Sequence, residues 1–222
     1  MLRLHPSEEH AMKDQSHITV ILDRTGSMME IRDDVIGGFN AFLAEQQAAS
    51  TPATFTLVQF DSQDPYEVLH HDRPIAEVTP LTPEQYLPRA STPLYDAMGR
   101  GILDLESRIA KQPEAERPSR IIFVVVTDGA ENASLEFDRA AITKLVDARK
   151  AAGWDFVFLS ADMEAFHDAG AVGIDYSSRL AFQKSSRGND AAWAAASSKI
   201  KARILGAADK VEFDDHDRAS SE

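Results

Sequence analysis

Apolar and polar positions follow two alternating rhythms along the chain. Short unbroken apolar runs read as strands, and longer stretches with apolar residues every three to four positions read as helices. Residues 17–23 (HITVILD) form a run that ends in an acid, and residues 54–60 (TFTLVQF) form a second. A third strand is expected around residues 66–70, joined to the second by a turn over 61–65 and therefore antiparallel to it. Residues 120–129 give the strongest strand: Ile121 to Val126 are all apolar. That pattern belongs to a strand covered on both faces, as in the middle of a parallel sheet. Residues 154–160 and 180–183 complete the set.

The helical rhythm fills the intervals. Residues 28–48 place Ile31, Val35, Phe39, Phe42 and Leu43 on one face. Gly37-Gly38 interrupts that helix and marks a close packing contact. Residues 93–111 align Leu94, Met98, Ile102, Leu105 and Ile109, and residues 189–205 align Trp193, Ala196, Ile200 and Ile204. Helices over 138–152 and 163–171 lie between them. Strands alternating with helices imply right-handed βαβ units. The expected fold class is α/β: a doubly wound, Rossmann-like, mainly parallel central sheet with one antiparallel edge strand and helices on both faces. Residues 1–15 read as a flexible arm, residues 16–206 as the domain, and residues 207–222 as an acidic, disordered tail. That tail carries Asp209, Glu212, Asp214, Asp215, Asp217 and Glu222 against Lys210 and Arg218.

Ligands of such sheets bind beyond the C-terminal ends of the strands. Three segments fall there: Asp23-Arg24-Thr25-Gly26-Ser27, Thr127-Asp128-Gly129, and Ser91-Thr92-Pro93-Leu94. Asp23, Thr25 and Ser27 alternate along a turn, so three oxygens can face one point, and Gly26 lets the backbone bend tightly. Hard oxygen ligands suit Mg²⁺, Mn²⁺ or Ca²⁺. Each piece has a plainer use as well. Strand-end Asp residues form turns, and Ser27 and Thr92 are good helix caps. Glu131-Asn132 could line the site but read first as loop formers, and Asp61 serves equally as a turn residue or as outer support for a site. Neighbouring His70 and His71 point to opposite faces of a strand and do not chelate one ion.

The segment Asp23-x-Thr25-x-Ser27, with Thr92 and Asp128 at these separations, resembles the metal-ion-dependent adhesion site of von Willebrand factor type A domains. The likeness covers roughly residues 16–206 and is to stand-alone, bacterial or phage-like members. It implies that Asp23, Thr25, Ser27, Thr92 and Asp128 hold one divalent cation, Mg²⁺ first. It also implies a protein partner whose Asp or Glu completes the coordination. Arg24, Met28 and Tyr95 are then expected to give specificity by contact, and residues 189–205 to move as the last helix. The family more often has Ser where Thr25 stands; threonine keeps the hydroxyl but restricts its rotation.

Composition narrows the alternatives. With 36 acidic against 23 basic residues the formal charge is −13, which disfavours nucleic acid and anionic membranes as partners. The chain has no cysteine, so thiolate metal sites and disulfides are excluded. The opening residues lack a signal-peptide core, and a cytoplasmic setting is expected. No Gly-x-x-x-x-Gly-Lys-Ser/Thr loop and no Gly-x-Ser-x-Gly elbow occurs. A Mg²⁺-dependent phosphatase of the haloacid dehalogenase type needs an acid where Thr25 stands. No enzyme is therefore expected. An adaptor of an ATPase or stress-response assembly is the alternative on the binding side.

Overall fold

The computed structural model describes residues 15–49 and 51–222. The N-terminal arm lies outside the described residues except for Gln15. Six strands form one sheet: β1 (Ser16–Asp23), β2 (Ala53–Asp61), β3 (Asp64–Pro74), β4 (Arg120–Thr127), β5 (Trp154–Ser160) and β6 (Arg179–Ala181). Their spatial order is β3-β2-β1-β4-β5-β6. All neighbours pair in parallel except β2 with β3, which is antiparallel and irregular in register. This is the expected α/β sheet with its antiparallel edge.

The helices are α1 (Arg32–Ala48), α2 (Leu94–Lys111), α3 (Arg139–Ala151), α4 (Met163–Ala171), α5 (Ser186–Ile204) and α6 (Asp215–Ser221). Strand side chains alternate between two cores. Ile18, Val20 and Leu22 of β1 pack with Phe39, Phe42 and Trp193 of α1 and α5. Ile21 of β1 and Phe123 and Val125 of β4 pack on the other face, with Met98, Ile142 and Ala165 of α2, α3 and α4. Two buried faces explain why Ile121 to Val126 show no polar alternation.

Three expectations need correction. The helix expected over residues 28–48 opens as a 3-10 helix, Gly26–Ile31, before α1 begins. Its first residues are tied to neighbouring segments, as described below, and cannot join the α-helical ladder. Of the glycine pair, only Gly38 marks a close approach: a Cβ there would lie 2.2 Å from Cδ1 of Trp193, whereas Gly37 faces open space.

The third concerns the tail. Residues 207–222 pack against the domain instead of remaining disordered. Val211 and Phe213 are buried, and Phe213 N–H donates to the Ser177 carbonyl at 2.7 Å. Asp214 caps α6 through a capping box with Asp217 and pairs with Lys199 at 2.7 Å. Two apolar anchors and a well-capped last turn outweigh the acidic composition of this segment. The last helix is therefore α6, not the helix over residues 189–205.

Candidate metal centre

The sheet reverses its winding between β1 and β4. From β1 the chain passes to β2 on one side, and from β4 to β5 on the other. In sheets of this kind ligands bind beyond the strand ends at such a reversal. β1 and β4 are paired up to Leu22 opposite Val126, so Asp23 and Thr127 end the two strands side by side. The Thr127 hydroxyl donates to Oδ2 of Asp23 at 2.5 Å. Oδ1 of Asp23 accepts the Thr25 N–H at 2.6 Å, which folds the turn back over the strand end. The Tyr86 hydroxyl donates to the Asp23 carbonyl at 2.5 Å and closes the site from beneath.

The next oxygens follow at short range. Thr25 Oγ1 lies 3.2 Å from Ser27 Oγ, and Ser27 Oγ donates to Oδ1 of Asp128 at 2.6 Å. Thr92 borders the same glycine as Ser27: a Cβ added at Gly129 would meet Thr92 Oγ1 at 3.5 Å and Ser27 Oγ at 3.6 Å. Neither the helix after Thr25 nor α2 after Thr92 uses a side-chain cap. The hydroxyls of Thr25, Ser27 and Thr92 are thus not spent on capping. The structure brings together all five residues singled out in the sequence.

Both carboxylates are shielded from solvent. Burial, outweighing the hydrogen bonds from Thr127 and Thr25, pushes the Asp23 carboxyl up to about 7. A cation beside it would favour the charged form. Among the described residues no three acidic or histidine side chains converge as a metal cluster. The chemistry here is instead two carboxylates and three hydroxyls, a hard oxygen set. Such a set suits a hard divalent cation.

Loop 75–93 is fixed by a buried charge network. Asp61 Oδ2 accepts Arg24 Nε and Arg89 Nε, both at 2.9 Å, and Arg24 also pairs with Glu67. Burial works to raise the Asp61 carboxyl, but Arg89, two backbone N–H groups and Arg24 prevail and hold it below the usual range. Backbone bonds from Arg89 N–H to the Arg24 carbonyl and from Gly26 N–H to the Ala90 carbonyl join this loop to the Asp23 turn. Ala90 adopts φ +59°, a left-handed conformation two residues before Thr92. Glu131 and Asn132 belong to the loop and not to the centre. Glu131 accepts N–H groups of Tyr95, Ala133 and Ser134, and Asn132 Oδ1 accepts the Thr92 N–H at 2.9 Å.

The expected contact residues are not at the surface. Met28 is fully buried, Tyr95 is buried, and Arg24 is committed to Asp61 and Glu67. The exposed large apolar side chains of these loops are Met29, at 56%, Leu87, at 54%, and Leu135, at 94%. His70 and His71 diverge as expected, toward Thr79 and Asp104 respectively.

Sequence reasoning missed two participants. Thr127 stands beside Asp128 at the strand end, but nothing in the sequence assigned it a part in the site. Lys184 comes from the β6–α5 turn, and its Nζ stands 2.7 Å from Asp128 Oδ2 and 2.9 Å from the Ser27 carbonyl. Partial burial works to lower the pKa of Lys184, but Asp128 and Glu30 raise it above its ordinary value. No periodicity or spacing announces a side chain that arrives from a distant loop.

No family model and no curated protein matches this sequence. Solved structures do. The chain is similar to proximal thread matrix protein 1 from the mussel byssus (TM-score 0.59, 14% identity, over 86% of this chain and 48% of that one). One structure of that protein has a zinc-occupied MIDAS motif. It is also similar to the pilus adhesin SpaC from Lactobacillus rhamnosus GG (TM-score 0.64, 12% identity, over 86% of this chain and 31% of that one). A von Willebrand factor type A structure from Catenulispora acidiphila aligns with a TM-score of 0.54 at 12% identity, over 87% of this chain and 43% of that one. At these identities the likeness defines the class by fold: the chain has the α/β fold of von Willebrand factor type A domains. It spans less than half the length of each of these proteins.

Proposed function

We propose that this chain is a divalent-cation-dependent protein-binding module. Asp23, Thr25, Ser27, Thr92 and Asp128 hold one ion, Mg²⁺ first, with Mn²⁺ or Ca²⁺ suited to the same oxygens. The observation that carries this reading is the convergence of three uncapped hydroxyls on two buried carboxylates at the winding reversal. When bound, the ion supplies an electron-poor docking point for a carboxylate of a partner protein. Asp23 and Asp128 provide the negative charge, Thr127 and the turn N–H of Thr25 orient Asp23, and Ser27 orients Asp128. Exposed Met29 and Leu135, on the segments that follow Ser27 and Asp128, offer the partner apolar contact. The folds of an adhesin and a matrix protein support binding over catalysis, and Thr25 stands where a phosphatase of the haloacid dehalogenase type needs an acid.

The test is thermal unfolding of wild type and Asp128→Ala in EDTA and in Mg²⁺, Mn²⁺ or Ca²⁺. An ion bound only by the folded state raises the midpoint with its concentration. The wild-type midpoint should rise and the variant's should not. A wild type indifferent to millimolar ion removes the metal from this reading. Partner capture that survives EDTA removes it from recognition.

A further inference from the structure

Asp128 has two different oxygens. Oδ1 accepts the hydroxyl of Ser27 within the site. Oδ2 is buried and faces the ammonium of Lys184, which reaches in from the turn between β6 and α5. The same ammonium lies 2.9 Å from the Ser27 carbonyl. It therefore touches two residues of the candidate metal centre and places a positive charge where a divalent ion needs the negative charge of Asp128. A buried carboxylate requires one compensating charge. Two cations at one carboxylate repel each other.

Lys184 also has somewhere to go. Oε2 of Glu30 lies 3.3 Å from Nζ on the outer side, and the Glu30 side chain is 79% exposed. The lysine stem is flexible and partly open to solvent, so its ammonium can trade Asp128 for Glu30 and water. The backbone that carries it is braced elsewhere. Gln183 N–H donates to the Ser221 carbonyl at 2.8 Å, and Ser185 caps α5 through Gly188 N–H at 3.2 Å. Release of the side chain would leave that turn in place.

We propose that Lys184 is a built-in competitor of the divalent ion: its ammonium neutralises Asp128 when no ion is bound, and ion binding displaces it toward Glu30 and solvent. The inference rests on the reading of the site as a cation site. It assigns Lys184 the role of setting ion affinity, so that the site fills only when the ion outcompetes a tethered cation. A charge delivered by the same chain is always present, so weak ion binding follows from the fold itself.

The experiment is Mn²⁺ titration of wild type and Lys184→Met by calorimetry, paired with amine labelling of wild-type Lys184 read by mass spectrometry with and without Mn²⁺. Removing a like charge from an ion site should tighten Mn²⁺ binding by about tenfold or more. Labelling of Lys184 in wild type should rise as Mn²⁺ saturates, and this arm holds even if the variant folds poorly. Equal or weaker binding by a folded Lys184→Met, or labelling that Mn²⁺ leaves unchanged, overturns the competitor role while the metal reading stands. Absence of Mn²⁺ binding by both proteins overturns both.

Discussion

Thr127 holds Asp23 by a 2.5 Å hydrogen bond between the two strands where the sheet reverses its winding. This bond joins the ends of β1 and β4, and it fixes one oxygen of a carboxylate that has no exposure to solvent. Thr127→Val keeps the shape and removes the donor. A buried carboxylate that loses a hydrogen bond should cost about 1–3 kcal/mol. Urea unfolding of the metal-free variant measures that loss. Mn²⁺ affinity should fall with it, because Asp23 is then free to turn away from the site.

Asp61 anchors the loop that carries Thr92. Its carboxylate has no exposure and binds both Arg24 and Arg89. Asp61→Ala leaves the buried Arg24 guanidinium with only half-exposed Glu67 as a partner. Breaking a buried pair on one side should cost about 3–5 kcal/mol. Chemical denaturation should show this loss in EDTA as well as in Mg²⁺, which separates loop support from ion binding. Arg89→Ala, whose side chain is half exposed, should cost much less.

Gly37 and Gly38 are neighbours with opposite prospects. Gly38→Ala forces a methyl group to within 2.2 Å of the Trp193 ring and should destabilise by about 1–3 kcal/mol. Gly37→Ala meets nothing within 4 Å and should stabilise α1 by about 0.5–1 kcal/mol. Thermal midpoints moving in opposite directions would establish the asymmetry, and equal shifts would refute it.

These cases mark how far the sequence could be read. The doubly wound sheet was legible because Ile121 to Val126 form an unbroken apolar run and the helical faces of Phe39 and Trp193 repeat at a clear period. That Asp23, Thr25, Ser27, Thr92 and Asp128 lie near one another was legible because each stands at a strand end or before a helix. Lys184 was not, because its role depends on a distance between loops and not on a spacing. The burial of Arg24, Met28 and Tyr95 was hidden for a related reason. Loop position says nothing about which way a side chain turns, and Arg24 turns inward because Asp61 waits there.

His17 gives the molecule an acid-sensitive point at the opposite end of β1 from Asp23. Burial first, and then the charge of Arg108, hold its pKa well below the usual 6.5, despite the raising effect of Asp72. The native state therefore refuses a proton that the unfolded chain accepts below that value. Unfolding binds protons, so stability falls as pH drops below 6.5, by up to about 1.4 kcal/mol per pH unit from this residue. His17→Gln should flatten that slope. Urea midpoints of the two proteins at about pH 7.5, 6.5 and 5.5 compare the slopes directly. Parallel slopes would place the acid sensitivity elsewhere.

The acidic C-terminal segment offers the sharpest contrast between composition and structure. Its charges suggested disorder, yet Val211 and Phe213 insert into the core beside α5, and Arg218 lies 4.2 Å above the Tyr176 ring. Phe213→Ala should therefore cost about 3 kcal/mol or more, the penalty of a core cavity, where a disordered tail would give none. The same segment meets the turn of Lys184 through the Ser221 carbonyl and Gln183 N–H. Loss of Phe213 should thus raise hydrogen exchange at residues 183–188 as well as at 211–221. Exchange confined to the tail would mean that the turn is held by the α5 cap alone, and that Ser185, not Ser221, keeps Lys184 aimed at Asp128.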